Sequence, residues 1–308
     1  MRGLQVVKPG PLSLLQDAGR QGWQHLGVSP SGPLDVHAAA WANRLLGNAW
    51  GAPLLEVALG DVELRSQVDT WLAFTGADMP LTVDDRAQMG WSRFSLRAGQ
   101  RVRLGYARSG QRGYLAVAGG FAARPVLGSV STQVREGLGG LDGQGSALRE
   151  GDLLPCAATL SGQRAASVPW PYRPDYRADA ELRVITGGDA AQFSAVARQA
   201  FFTQRWCLSP NSDRMGVRLQ GGALQAPLRQ WSLGVTRGAI QIPPDGQPII
   251  LLADHQTMGG YPLLGFVHPL DLGRLAQCTA RQALRFTQVS LERAQDELRV
   301  FYRFFGRP

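Results

Sequence analysis

The chain has 308 residues, 44% of them hydrophobic and 18% charged. That length and balance suit a folded protein of two domains and exclude a disordered chain. No apolar run approaches the about 20 residues needed to span a bilayer, so membrane insertion is not expected. The formal charge of +8 raises the question of nucleic acid, but the basic residues are scattered and never run to five or more. Nucleic-acid binding is therefore not expected either.

Lys8 is the only lysine, so 31 of the 32 basic residues are arginine. A phosphate-binding loop of the Gly-Lys-Ser/Thr type needs an ammonium group beside glycines, and Lys8 lies between Val7 and Pro9. A covalently biotinylated lysine and a pyridoxal Schiff base are excluded on the same ground. Any ATP used by this protein is expected either to sit mainly on a partner chain or to be held by arginine and backbone amides alone. Cys156, Cys207 and Cys278 are widely spaced with no Cys-x-x-Cys pair, and they read as free thiols. The four histidines show no metal-ligand spacing, so no metal is expected. The N-terminal residues lack a long apolar stretch with a cleavage site, which predicts a cytoplasmic protein.

With 38 glycines and 19 prolines, the chain favours short strands over long helices. Strands are predicted at Leu4–Val7, Leu54–Leu59, Trp71–Thr75, Arg101–Leu104 and Tyr114–Val117. A helix over Leu34–Leu46 is predicted to open at Ser31-Gly32-Pro33 and close at Gly47-Asn48. A Pro- and Ala-rich stretch over 161–180 reads as a linker between an N-terminal domain, 1–160, and a C-terminal domain, 181–308. Beyond it, strands are predicted at Leu182–Ile185, Arg205–Leu208, Gly238–Ile242, Pro248–Leu252 and Leu284–Val289. Helices are predicted at Ala190–Phe201, His268–Gln277 and Leu291–Phe301.

Polar residues gather at the strand ends. In the first half, Asp17 and Asp35 supply carboxylates, and Arg20 has the fork geometry of an anion clamp. Asn43 sits in an apolar helical stripe, and Ser131 and Thr132 lie in the hydroxyl-rich loop 128–132, where backbone amides can form an oxyanion nest. In the second half, Asp213-Arg214-Met215-Gly216 joins two strands. A hydrophobic strand then delivers Asp254-His255-Gln256-Thr257, followed by Gly259-Gly260-Tyr261, which reads as the wall of a site.

These motifs in combination resemble the biotin-dependent carboxyltransferase domain family. The match runs through Gln16–Gly22, Gly27 with Ser31, Gly32 and Asp35, Ala42-Asn43, Gly47-Asn48 and Thr75–Asp78. It continues through Tyr114–Gly120, Leu127–Thr132, Asp213–Gly216 and Gly238–Pro262. The family includes the C subunit of bacterial 5-oxoprolinase, the carboxyltransferase domain of urea carboxylase, and allophanate hydrolase subunit 2. The resemblance implies a mainly β fold with some α, built as two cyclophilin-like β-barrel domains. It implies one component of an ATP-dependent 5-oxoprolinase complex that opens 5-oxoproline to glutamate, with A-like and B-like partner chains. The alternatives are a biotin-dependent carboxyltransferase component acting on urea or another small amide, without biotin attached to this chain, and a regulatory protein that sequesters its partner. On this reading Asp17, Asp35 and Asp254 are the acid–base candidates. Arg20 and Arg214 clamp a carboxylate or phosphate, and Asn43, Ser131, Thr132, Gln241, Gln256, Thr257 and Tyr261 bind the substrate. Leu233 stands where the family pattern has Glu, which removes one carboxylate.

Overall fold

We describe the protein from a computed structural model, covering residues 2–159, 164–280 and 282–307. Chain contacts divide it into two compact units, the first of Met1–Gln21, Ser31–Tyr176 and Phe305–Arg307, the second of Gly22–Pro30 and Arg177–Phe304. No helix among the described residues is long and apolar enough to cross a membrane.

The first unit contains β1 (Gly3–Pro9), β2 (Leu12–Gln16), α1 (Val36–Leu46), β3 (Leu54–Ala58), β4 (Val62–Ser66), β5 (Thr70–Asp78), β6 (Leu81–Val83), β7 (Arg86–Gln88), β8 (Ser92–Leu96), β9 (Arg101–Leu104), β10 (Ser109–Val117), β11 (Leu153–Pro155) and β12 (Ala166–Ser167). They form two six-stranded sheets, in the orders β11-β1-β4-β9-β6-β7 and β12-β8-β5-β10-β3-β2. The period-2 alternation of a strand sorts the second sheet's residues between two faces. Leu55, Val57, Leu72, Phe74, Leu115 and Val117 join a core with Leu4, Val6, Leu64, Val102 and Leu104 of the first sheet. The intervening positions Leu54, Ala73, Tyr114 and Ala116 meet Ala38, Trp41, Ala42 and Leu45 of α1. Alanine on both sides of that contact lets the helix lie close to the sheet. Each large apolar side chain so buried contributes about 1.5–3 kcal/mol.

The start of α1 differs from the sequence reading. Asp35 is the N-cap, its side chain accepting from the Ala38 N–H, and Pro33 stays outside the helix. The stretch read as a linker includes Ala166–Ser167, which pairs with β8 as an edge strand. Residues 161–163 of that stretch lie outside the described residues.

The second unit contains β13 (Ala180–Thr186), α2 (Ala195–Thr203), β14 (Trp206–Leu208), β15 (Gly216–Gln220), β16 (Leu233–Gly234), β17 (Ala239–Gln241), β18 (Ile249–Leu251), β19 (Met258–Gly259), β20 (Leu263–Val267), α3 (Leu272–Gln277), β21 (Ala283–Gln288) and α4 (Leu291–Phe305), whose last residue groups with the first unit. Seven of these strands close into a barrel in the order β13-β20-β17-β18-β15-β14-β21, while β16 and β19 form a separate two-stranded ribbon. The mainly β character expected from the sequence is what the chain adopts. Closure comes from β21, which pairs in parallel with β13 and antiparallel with β14. The helix expected over Ala190–Phe201 breaks into a 3-10 turn, Ala190–Gln192, and α2. Ser194 causes the break by capping the Ala197 N–H. The helix expected from His268 begins only at Leu272, because the His268 N–H donates to the Arg183 carbonyl, 2.7 Å away.

Candidate functional site

The candidate residues fall into two groups. Asp17, Arg20, Asp35, Asn43, Ser131 and Thr132 belong to the first unit, and Arg214, Gln241, Asp254, Gln256, Thr257 and Tyr261 to the second.

The first group is occupied in holding its own loops. Asp17 directly follows β2, and its Oδ1 accepts from the Gly19 N–H at 2.9 Å, Ser129 Oγ at 2.5 Å and Ser131 Oγ at 2.7 Å. Its Oδ2 accepts from the Val130 N–H at 2.8 Å. A carboxylate with four donors organises the hydroxyl-rich loop instead of standing open for proton transfer. Arg20 is 1% exposed. It donates to the Ser131 carbonyl at 2.8 Å and the Val126 carbonyl at 3.2 Å, so it clamps backbone oxygens of the same loop. Thr132 donates from Oγ1 to the Leu15 carbonyl, and its own carbonyl accepts from Gln16 Nε2 and Ser31 Oγ. The structure therefore brings Asp17, Arg20, Ser131 and Thr132 together, in a fastening between β2 and the loop 126–132.

Asp35 is separate from that fastening. One oxygen caps α1, and the other accepts from the Tyr176 hydroxyl at 2.8 Å. The Tyr114 hydroxyl accepts from the Asp35 N–H at 2.7 Å and donates to Glu56 Oε2 at 2.8 Å. Burial, with Glu56 and Asp35 close by, holds Tyr114 well above the ordinary phenol value, so it remains a donor. Asn43 donates to the Ala52 carbonyl and accepts from Asn48, which closes the turn after α1.

The second group lies at the ends of β15, β17 and β18. Arg214, just before β15, meets Asp254, just after β18, in a two-point pair with Nε–Oδ2 at 2.8 Å and Nη2–Oδ1 at 3.0 Å. The Asp254 N–H donates back to the Arg214 carbonyl at 2.9 Å. The side chains are 9% and 7% exposed, so each neutralises a charge that would be costly to bury alone. The acid–base role expected of Asp254 meets a carboxylate engaged on both oxygens. Arg214 clamps a carboxylate as expected, and that carboxylate is Asp254.

Gln241 ends β17 and is 1% exposed. Its Oε1 lies 3.5 Å from Gln256 Nε2, while its Nε2 has no hydrogen-bond partner among the described residues. Gln256 is half-buried, and its backbone carbonyl lies 2.6 Å from His255 Nδ1. A carbonyl only accepts, so Nδ1 carries the proton and Nε2 presents a lone pair. His255 is 1% exposed, and its Nε2 too is without a partner among the described residues. Burial depresses its pKa, against the hydrogen bond to the Gln256 carbonyl, and nearby Arg237 reinforces the effect of burial while Asp254 opposes it. Sequence reasoning placed His255 in the site wall without naming it among the catalytic or substrate-binding residues. The available signal was its place as the only histidine inside a polar strand-end motif.

The ribbon adjoins this group. Gly259 of β19 pairs with Leu233 of β16, and the Thr257 carbonyl accepts from the Val235 N–H at 3.0 Å. Leu233, the position where a carboxylate was expected, is exposed. A Cβ on Gly259 would stand 2.3 Å from Gln241 Nε2, so this glycine makes room for the amide. Tyr261 is exposed, and its carbonyl accepts from Arg229, which is itself paired with Asp189 at 2.8 Å. The second unit thus places the Gln241 and Gln256 amides beside one another, with the His255 imidazole bonded to the Gln256 carbonyl.

Comparison with known proteins agrees with the sequence motifs. The profile of the carboxyltransferase domain, subdomain A and B, matches residues 26–288. The chain is 38% identical to the C subunit of 5-oxoprolinase from Escherichia coli (strain K12), over 97% of this chain and 96% of that protein. It is also 38% identical to the C subunit of 5-oxoprolinase from Haemophilus influenzae, over 91% of this chain and 89% of that one. The crystal structure of Kluyveromyces lactis urea carboxylase superposes on 98% of this chain and 29% of its own with a TM-score of 0.90, at 26% identity. The chain belongs to the carboxyltransferase domain, subdomain A and B, family.

Proposed function

We propose that this chain is the C-type component of an ATP-dependent 5-oxoprolinase complex, which hydrolyses 5-oxoproline to glutamate in the cytoplasm with A-like and B-like partner chains. The observation that carries this reading is the end-to-end likeness to two bacterial proteins that bear that component's name. The buried amides of Gln241 and Gln256 and the neutral imidazole of His255 support it, because they are groups that recognise an uncharged amide. Thr257 and Tyr261 extend the same strand end and complete the proposed substrate wall. The Arg214–Asp254 pair holds that wall in place. In the first unit, Asp17, Arg20, Asp35, Asn43, Ser131 and Thr132 act on the scaffold.

ATP is assigned to a partner. The residues of this chain do not fit a phosphate loop, because the Lys8 ammonium lies 2.7 Å from Asp61 on a strand and Asp61 also accepts from Tyr106. The second reading, a carboxyltransferase component that receives a carboxyl group from biotin on another chain, is favoured by the likeness to urea carboxylase. The test is reconstitution with candidate A-like and B-like chains and an assay of glutamate released from 5-oxoproline. Release that requires ATP and all three chains supports the first reading. No release, together with biotin-dependent carboxylation of urea, replaces it with the second.

A further inference from the structure

The first unit carries a cavity of about 300 Å³ beside the C-terminal end of α1. That volume lies at the lower end of the range for small-molecule sites, about 300–1,000 Å³. Its lining comes from α1, from the turn that follows, and from Phe305, which groups with this unit.

The frame of the cavity is held by its own polar groups. Asn43 Nδ2 donates to the Ala52 carbonyl at 2.9 Å, and Asn48 Nδ2 donates to Asn43 Oδ1 at 2.9 Å and to the Val117 carbonyl at 2.8 Å. Asn48 Oδ1 accepts from the Gly119 N–H at 2.8 Å. Gly51 has a φ of +71°, and a Cβ there would stand 2.5 Å from the Ala18 Cβ, so the turn needs a glycine at this point. Phe305 is fixed by an edge-to-face contact with the buried Trp41, the ring centroids 5.4 Å apart.

Three features define an occupant. Trp50 and Phe305 both line the cavity, their ring centroids 6.4 Å apart and their planes inclined at 51°, which makes a wedge for a flat ring. Arg44 also lines it, with its guanidinium over Phe305 at 6.0 Å, and Arg307 lies over Trp50 at 5.9 Å. A guanidinium set over a ring keeps its N–H donors in its own plane, so stacking does not preclude pairing with an anion. No Asp or Glu is among the described residues that line the cavity. The third feature is backbone: the N–H groups of Ala49 and Gly51, both lining residues, donate to no group among the described residues. The negative end of α1 would oppose an anion, but its last carbonyls are covered. Arg93 Nη1 donates to the Leu45 carbonyl at 2.6 Å, and the N–H groups of Gly47 and Asn48 donate to the Arg44 and Asn43 carbonyls.

We propose that this cavity binds a small planar anion, an aromatic ring bearing a carboxylate or phosphate, with the ring against Trp50 and Phe305 and the charge at Arg44. The two asparagine amides are engaged with the frame, so flatness and charge set the selectivity rather than the pattern of the ring edge. Aromatic carboxylates and mononucleotides share this chemistry, and experiment decides between them. The proposal is independent of the lactam reading, because all its residues belong to the first unit and none to the proposed substrate wall.

The experiment is calorimetric titration of the full 308-residue chain with two anions and their counterparts. Benzoate is compared with neutral benzamide and with cyclohexanecarboxylate, whose ring is not flat. Adenosine 5′-monophosphate is compared with neutral adenosine and with ribose 5-phosphate, which lacks the aromatic ring. Expected is binding of at least one anion with a Kd of about 1 mM or tighter, and at least fivefold weaker binding of both its counterparts. Tighter binding of the nucleotide than of benzoate assigns the cavity to mononucleotides, and the reverse assigns it to aromatic carboxylates. Arg44→Gln and Trp50→Leu each weaken binding at least fivefold, and Arg44→Lys, which keeps the charge, loses less than Arg44→Gln. Ala40→Leu fills the cavity from α1 and abolishes binding. Thermal midpoints within a few degrees of the parent chain confirm that the variants fold. Arg44 is exposed, so its two variants decide the matter should Trp50→Leu or Ala40→Leu not fold. The proposal is overturned if neither anion binds up to about 10 mM, if a counterpart binds as tightly as its anion, or if folded Arg44→Gln binds as the parent does. Glutamate release by the reconstituted complex in the face of such a result would leave the proposed function standing and remove only this site.

Discussion

At the scale of single residues, polar type alone does not separate scaffold from site. Asp17, Arg20 and Asp35 form the densest polar cluster in the first half of the sequence, yet all three are engaged with their own backbone or neighbouring side chains. What distinguishes Gln241 and His255 is an unpaired buried atom, a property fixed by neighbours up to 18 residues apart along the chain and invisible in a linear reading. The Arg214–Asp254 pair makes a prediction at this scale. Removing one partner strands a buried charge, so Arg214→Ala or Asp254→Ala should each lower unfolding free energy by about 3–5 kcal/mol. The double change Arg214→Met with Asp254→Leu should restore much of that loss, as measured by urea denaturation. If either single variant is as stable as the parent, the pair is not closed in the way described.

At the scale of elements, long apolar alternation is legible and short pairing is not. Strands such as β5 and β10 are predicted in part, over 71–75 and 114–117, where consecutive residues on both faces are buried. The hairpin of β6 and β7 escapes prediction because each strand has three residues and the turn between them is Asp84-Asp85, both at positive φ without a glycine to announce it. The ribbon of β16 and β19 escapes for the same reason, since two-residue strands are defined only by their pairing. That ribbon supports the second prediction. Gly259→Ala places a methyl group against the far end of the Gln241 side chain, which gives way more easily than backbone. Stability should change by less than about 1 kcal/mol, while turnover of the reconstituted complex should fall at least fivefold. A thermal melt and the glutamate assay, run together, separate the two effects, and unchanged turnover would show that the amide's position is immaterial.

At the scale of the whole molecule, the β-rich class is readable from glycine, proline and short apolar runs, but the closing of one strand set into a barrel is not. His37, His255 and His268 are each depressed by burial below the ordinary value of 6.5. As pH falls through that value the unfolded chain takes up protons that the folded chain refuses, so stability is full above it and declines toward the folded-state values. The urea midpoint should therefore be lower at about pH 5.5 than at about pH 8, and His255→Gln should reduce the difference. A midpoint independent of pH over that interval would mean that these rings are not held neutral. The position of β21 in the barrel has a consequence for biogenesis. This stave is the last of the barrel's strands in chain order, and it must fit between β13 and β14, so the emerging polypeptide carries two open strand edges until residues 283–288 have been made. A nonsense codon upstream of 283 would leave both edges permanently bare, and the product should accumulate as aggregates rather than as a shortened soluble protein.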